Sequence, residues 1–134
     1  MVTFSATLVF TKSCVSQIKP VTVSRLELTA AVLAVRCSVM LEMEFKFDCS
    51  VKHFFYSDST VVLGYISNST RRFQVFVANR VGTIQSLTTA SQWSHVSGKE
   101  NPADLASRGC LQSVLPQTNG FDHMCCEVIP KFLC

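Results

Sequence analysis

A chain of 134 residues with 48% hydrophobic content suits one domain with a sizeable core, because a domain of this size buries roughly two thirds of its unfolded surface. A net charge of +3 permits an anionic partner, but charge alone does not argue for nucleic acid. The most apolar run, Leu26 to Leu41, is interrupted by Glu27 and Arg36 and is too short for a membrane span, so no membrane partner is expected.

The amino-terminal stretch Val2 to Thr11 is β-branched and aromatic and reads as a strand. A connection from Lys12 to Thr22 follows. Ser24-Arg25-Leu26-Glu27 has the spacing of a capping box, so a helix is expected from there to about Met43. That helix is apolar almost all round and should be well buried. Val51 to Ser57 reads as a second, central strand, ended by Asp58, with a short helix over Thr60 to Ile66. Asn68-Ser69-Thr70 is a turn. Phe73, Phe76, Val77, Val81, Ile84 and Leu87 recur at three- and four-residue steps and predict an amphipathic helix.

Trp93 to Val96 predicts a third strand, in which Trp93 and His95 are expected to pack rather than to do chemistry. A tight Ser97-Gly98-Lys99 turn leads to a helix start, with Asn101 as cap, Pro102 at the first helical position, Asp104 in the first turn and Gly109 as a stop. Strands alternating with helices give an α/β class. Leu111 to Cys134 has no clear period, and 110–134 is expected to be a divergent, poorly ordered tail after a domain over 1–109. His123, Cys125, Cys126 and Cys134 match no closed four-ligand zinc pattern. The seven scattered cysteines include no CxxC pair, and no signal-peptide pattern opens the chain. A reduced intracellular protein is therefore expected, with cytoplasm and nucleus equally open.

Glu27, Asp58 and Asp104 share one kind of position, at or near the first turn of a helix. Each alone has an ordinary explanation: Glu27 completes a capping box, Asp58 caps the next helix, and Asp104 faces a helix dipole. Together they support a second one. Strand ends of an open α/β sheet converge on one crevice, where three carboxylates would repel one another and a divalent cation would relieve the repulsion. Oxygen ligands without Cys or His favour Mg²⁺ or Mn²⁺ over zinc. Such a site suits metal-assisted phosphodiester cleavage. Arg71, Arg72 and Lys99, with Arg80 and Arg108, are candidate phosphate contacts. A solvated surface is the ordinary alternative.

The blocks around these acids carry a resemblance. They are Lys12-Ser13, Lys19-Pro20-Val21-Thr22, Arg25-Leu26-Glu27-Leu28, Tyr56-Ser57-Asp58-Ser59, Phe76-Val77-Ala78-Asn79-Arg80-Val81, Trp93-Ser94-His95-Val96 and Asn101 through Gly109. From about Ser5 to Gly109 the chain resembles the ribonuclease H region of Bel/Pao-type retrotransposon polyproteins. The resemblance implies a ribonuclease H-like mixed sheet flanked by helices and hydrolysis of RNA in RNA–DNA hybrids, which such enzymes recognise by shape and 2′-hydroxyls. It also implies Mg²⁺ or Mn²⁺ as cofactor, and reverse transcriptase or integrase parts of a parent polyprotein as partners. By the same resemblance Glu27, Asp58 and Asp104 match three of the family's four metal-binding acids. The fourth, on the family's first strand, has no counterpart, since no Asp or Glu precedes Glu27. Val2 to Thr11 resembles the family's third strand, so the expected sheet lacks the first two strands. The family often has a mobile His before its last helix, where this chain has Lys99. Two functions follow as expectations: a hydrolase impaired by the missing acid, or a non-catalytic module that binds nucleic acid or protein.

Overall fold

A computed structural model describes residues 11–13, 21–46, 51–101 and 131–133. In chain order these form β1 (Thr11–Ser13), α1 (Val23–Phe45), β2 (Phe55–Ser57), α2 (Thr60–Ser67), α3 (Val75–Leu87), a 3-10 turn (Ala90–Gln92), β3 (Trp93–His95) and β4 (Lys131–Leu133). The class is α/β. The described strands form two separate parallel pairs, β1 with β4 and β2 with β3, where one mixed sheet is expected from the sequence. Of the predicted strand Val2 to Thr11, only Thr11 lies among the described residues, where it opens β1. β4 falls in a stretch to which the sequence assigns no element.

α1 forms because its 23 residues contain neither Gly nor Pro and place Leu28, Ala31, Val32, Val35, Ser38 and Leu41 on one buried stripe. The capping box expected at Ser24 does not form. Thr22 is the N-cap, without a side-chain cap bond, and Ser24 lies inside the helix. Lys46 ends the helix in a left-handed conformation (φ 41°, ψ 53°), a position more usually given to glycine. The expected all-round burial also fails at this end, where Met40, Met43 and Phe45 are exposed.

The core is one cluster. It joins Leu28, Val32 and Val35 of α1, Phe55 of β2, Val62 and Ile66 of α2, and Val81 and Ile84 of α3. Trp93 packs against it from β3, stacked on Phe55 with ring centroids 4.7 Å apart at 18°. Its indole N–H donates to Thr88 Oγ1 at 3.0 Å, so the ring is half-buried without an unpaired polar atom. Tyr65 meets Phe73 edge-on at 5.0 Å, which holds the loop before α3 against α2. Cys37 is buried and in no disulfide. Among the described residues no helix is long and apolar enough to cross a membrane.

Candidate active site

β2 and β3 run parallel in the register Phe55↔Trp93, Tyr56↔Ser94, Ser57↔His95. Both strands therefore end together. The bond from Val96 N to Ser57 O (3.1 Å) carries the pairing one step further. The carboxyl ends of parallel strands are where open α/β sheets leave a crevice, and Asp58 is the first residue past the end of β2. It is exposed.

Glu27 reaches the same junction from α1. Its Oε2 accepts a hydrogen bond of 2.6 Å from Ser59 Oγ. The Ser59 hydroxyl in turn accepts from Val62 N at 3.3 Å, and Ser59 N donates to Ser57 Oγ at 3.1 Å. Ser59 is only 6% exposed, so the bond is short, charge-assisted and largely shielded from water. Two local expectations are corrected here. Glu27 closes no capping box, because its carboxylate has a stronger partner in a buried hydroxyl. Asp58 does not cap α2, because the hydroxyl of its neighbour Ser59 does. Both acids are released from the local roles that would have explained them.

The third contributor is the turn after β3. Glu100 N and Asn101 N both donate to Ser97 O at 2.9 Å, and Ser97 Oγ donates to Glu100 Oε2 at 3.0 Å. This turn approaches the acids: a Cβ added to Gly98 would lie 4.0 Å from Asp58 Oδ2. Lys99 is exposed on the same turn. His95, expected to pack, is exposed at the end of β3, because the core beneath the pair is already filled by Phe55 and Trp93. Asp104 lies outside the described residues, as do Pro102, Arg108 and Gly109. The structure thus ties Glu27 to Ser59, the neighbour of Asp58, and sets the turn carrying Lys99 beside Asp58. Among the described residues no three His, Cys, Asp or Glu side chains are grouped to hold a metal ion. The two acids in place are hard oxygen donors, which fit Mg²⁺ or Mn²⁺ better than zinc.

Sequence reasoning missed Ser59. Its signal was present, since a serine directly before a helix is a preferred cap, but nothing local says that its proton points to an acid 32 positions away. Arg71 and Arg72 are exposed on the loop between α2 and α3. That loop is set by Asn68 Oδ1, which accepts from Thr70 N at 3.0 Å and Arg71 N at 2.9 Å.

The comparisons with known proteins bear on this junction directly. Residues 2–59 match the family model of the Pao retrotransposon-like RNaseH-like domain. The resemblance read from the sequence is borne out over that span, where the chain is similar to the RNase H-like domain of Pao-type retrotransposons. The segment ends at Ser59, so it includes Glu27, Asp58 and the hydroxyl that links α1 to α2. No curated protein and no solved structure matches the chain.

Proposed function

We propose that this chain is a retrotransposon-derived ribonuclease H-like domain whose ancestral reaction is metal-dependent hydrolysis of the RNA strand of an RNA–DNA hybrid. The observation that carries the reading is the Glu27–Ser59 hydrogen bond, which ties α1 to the residue after Asp58 at the carboxyl end of the β2–β3 pair, inside the matched segment. Glu27, Asp58 and Asp104 are the proposed ligands of Mg²⁺ or Mn²⁺. A bound ion would lower the pKa of a coordinated water and offset charge on the scissile phosphate. The chain's own contribution is positional. Ser59 fixes one oxygen of Glu27, and Asp58 stands just past the end of β2. Lys99, on the adjoining turn, with Arg71 and Arg72, would contact phosphates.

The sequence contains no carboxylate before Glu27. The family's bridging ligand is therefore not supplied from within these residues, and the expected hydrolysis is weak. This observation also favours the second reading, a non-catalytic module that binds nucleic acid or a protein partner.

Cleavage of a labelled RNA–DNA hybrid in Mg²⁺ and then Mn²⁺ separates the two. Cleavage that vanishes in Asp58→Asn, with unchanged circular dichroism, supports the hydrolase. A folded chain that binds the hybrid and leaves it intact in both metals rejects the hydrolase and supports the module.

A further inference from the structure

Two guanidinium groups share one aromatic ring on the side of α1 that meets α3. Arg80 Cζ lies 3.5 Å from the Phe76 ring centroid and Arg25 Cζ 4.9 Å from it. Arg80 is fixed further by Nε donating to Thr29 Oγ1 (3.2 Å) and Nη1 donating to the Phe76 carbonyl (3.3 Å). Arg25 Nη2 donates to Gln74 Oε1 at 3.4 Å. Every one of these acceptors is neutral. Among the described residues the single ion pair joins His53 to Glu42, near the opposite end of α1, and no carboxylate meets Arg25 or Arg80.

Two like charges cannot be farther apart here than the sum of their distances to the ring, about one Debye length at physiological ionic strength. The ring face compensates part of their repulsion. That compensation comes from the ring and not from a carboxylate, so the charges remain for another acceptor. Arg71 and Arg72 are exposed on the loop that runs into α3 and add charge of the same sign. Neither α1 nor α3 has an acidic residue in its first turn or a side-chain cap, so the helix ends do not cancel this field, though they make no site by themselves.

Arg80 uses Nε and Nη1 on neutral acceptors, and exposed Arg25 engages only Nη2 among the described residues, so guanidinium N–H donors remain that suit recognition of an oxyanion. Arginines contributed by α1, by the loop before α3 and by α3 itself fit a row of phosphates better than one isolated carboxylate. Arg25 and Glu27 are two positions apart and so face different sides of α1, Glu27 toward Ser59 and Arg25 toward Phe76. We propose that Arg25 and Arg80, placed over Phe76, form a clamp for the phosphate backbone of nucleic acid, across α1 from the acids. The clamp rests on the nucleic-acid reading above and is separate from its chemistry.

Fluorescence anisotropy with a labelled RNA–DNA hybrid, titrated from 50 to 200 mM salt, tests it on the full chain. Removing the partner of one phosphate should make the plot of log affinity against log salt shallower by about 0.9, so wild type and Arg25→Gln should converge by about 3.5-fold across that range. Arg36→Gln, which removes one exposed charge three helical turns further along α1, should leave the slope unchanged. Arg80→Lys keeps the charge and loses the fork, so it should weaken binding at an unchanged slope. Arg25 is exposed, so a purely structural latch would instead show as a lower melting temperature with the slope intact. Arg25→Gln behaving like Arg36→Gln while the hybrid still binds overturns the clamp and spares the nucleic-acid reading. No binding by the wild type overturns both. Tighter binding to polyglutamate than to the hybrid, abolished in Arg25→Gln, assigns the cluster to an acidic polypeptide and also overturns the clamp.

Discussion

The two flanks of the α1 amino-terminal turns are built from different forces. Toward α2, Glu27 is held by a 2.6 Å bond from a buried serine that also caps the neighbouring helix. Toward α3, Arg25 and Arg80 are held by the face of Phe76. The first arrangement fixes an oxygen's direction, because a short hydrogen bond is directional. The ring contact in the second is less directional, and exposed Arg25 adds to it only a long 3.4 Å bond to Gln74, whereas Arg80 is also held by Thr29 and the Phe76 carbonyl. An oxygen that must meet an ion needs the former. Guanidiniums that must follow a flexible backbone are better served by the latter.

The contrast can be broken from beneath. Ile84 is fully buried in the cluster that supports both flanks, and Ile84→Ala should cost about 2–5 kcal/mol. Both flanks should then melt together in a denaturant titration. Separate transitions would show that they do not share a core. Ser59→Ala should act on the acid flank alone. Loss of the α2 cap should cost about 0.5–2 kcal/mol. Any metal-dependent activity or Mn²⁺ affinity should fall by about 10–100-fold, as for other groups that orient a ligand. Ser59→Thr, which keeps the hydroxyl, should recover most of the loss. Phe76→Leu should act on the arginine flank, costing about 1 kcal/mol for the two ring interactions and leaving the Ser59 cap of α2 intact. The smallest effect belongs to Gly98→Ala. Its methyl would sit at ordinary contact distance from Asp58, and stability should move by less than about 0.5 kcal/mol.

Legibility in the sequence follows the range of the interactions. The helix over Thr60 to Ile66, the periodic run from Phe73 to Leu87 and the strand opening at Trp93 lie where local pattern puts them, within a residue or two. Strand β2 is shorter than the aromatic run that predicts it, because only Phe55 to Ser57 face a partner strand. The caps at α1 and α2 depart from the local pattern for one reason. Local spacing offers Glu27 to Ser24 and Asp58 to its own helix, whereas the Ser59 hydroxyl takes the α2 cap locally and, through tertiary packing, also takes the Glu27 carboxylate. The grouping of Glu27 with Asp58 can be inferred from their shared place at helix starts. The Arg25–Phe76–Arg80 cluster cannot, since 51 residues separate Phe76 from Arg25 on one helix and the other partner follows it by one turn, so that only the packing of α1 on α3 closes the gap.

Trp93 is the chain's single tryptophan, and its position makes it a natural reporter. Its indole lies on a ring from β2, belongs to β3 and donates to the cap residue of α3. Those three elements come together only after the intervening helices have folded back, a loop closure whose entropy must be met before the contact forms. Intrinsic fluorescence of the unmodified protein therefore follows one event, the docking of the two parallel strands. It would time the appearance of the strand end that carries Asp58 without any label.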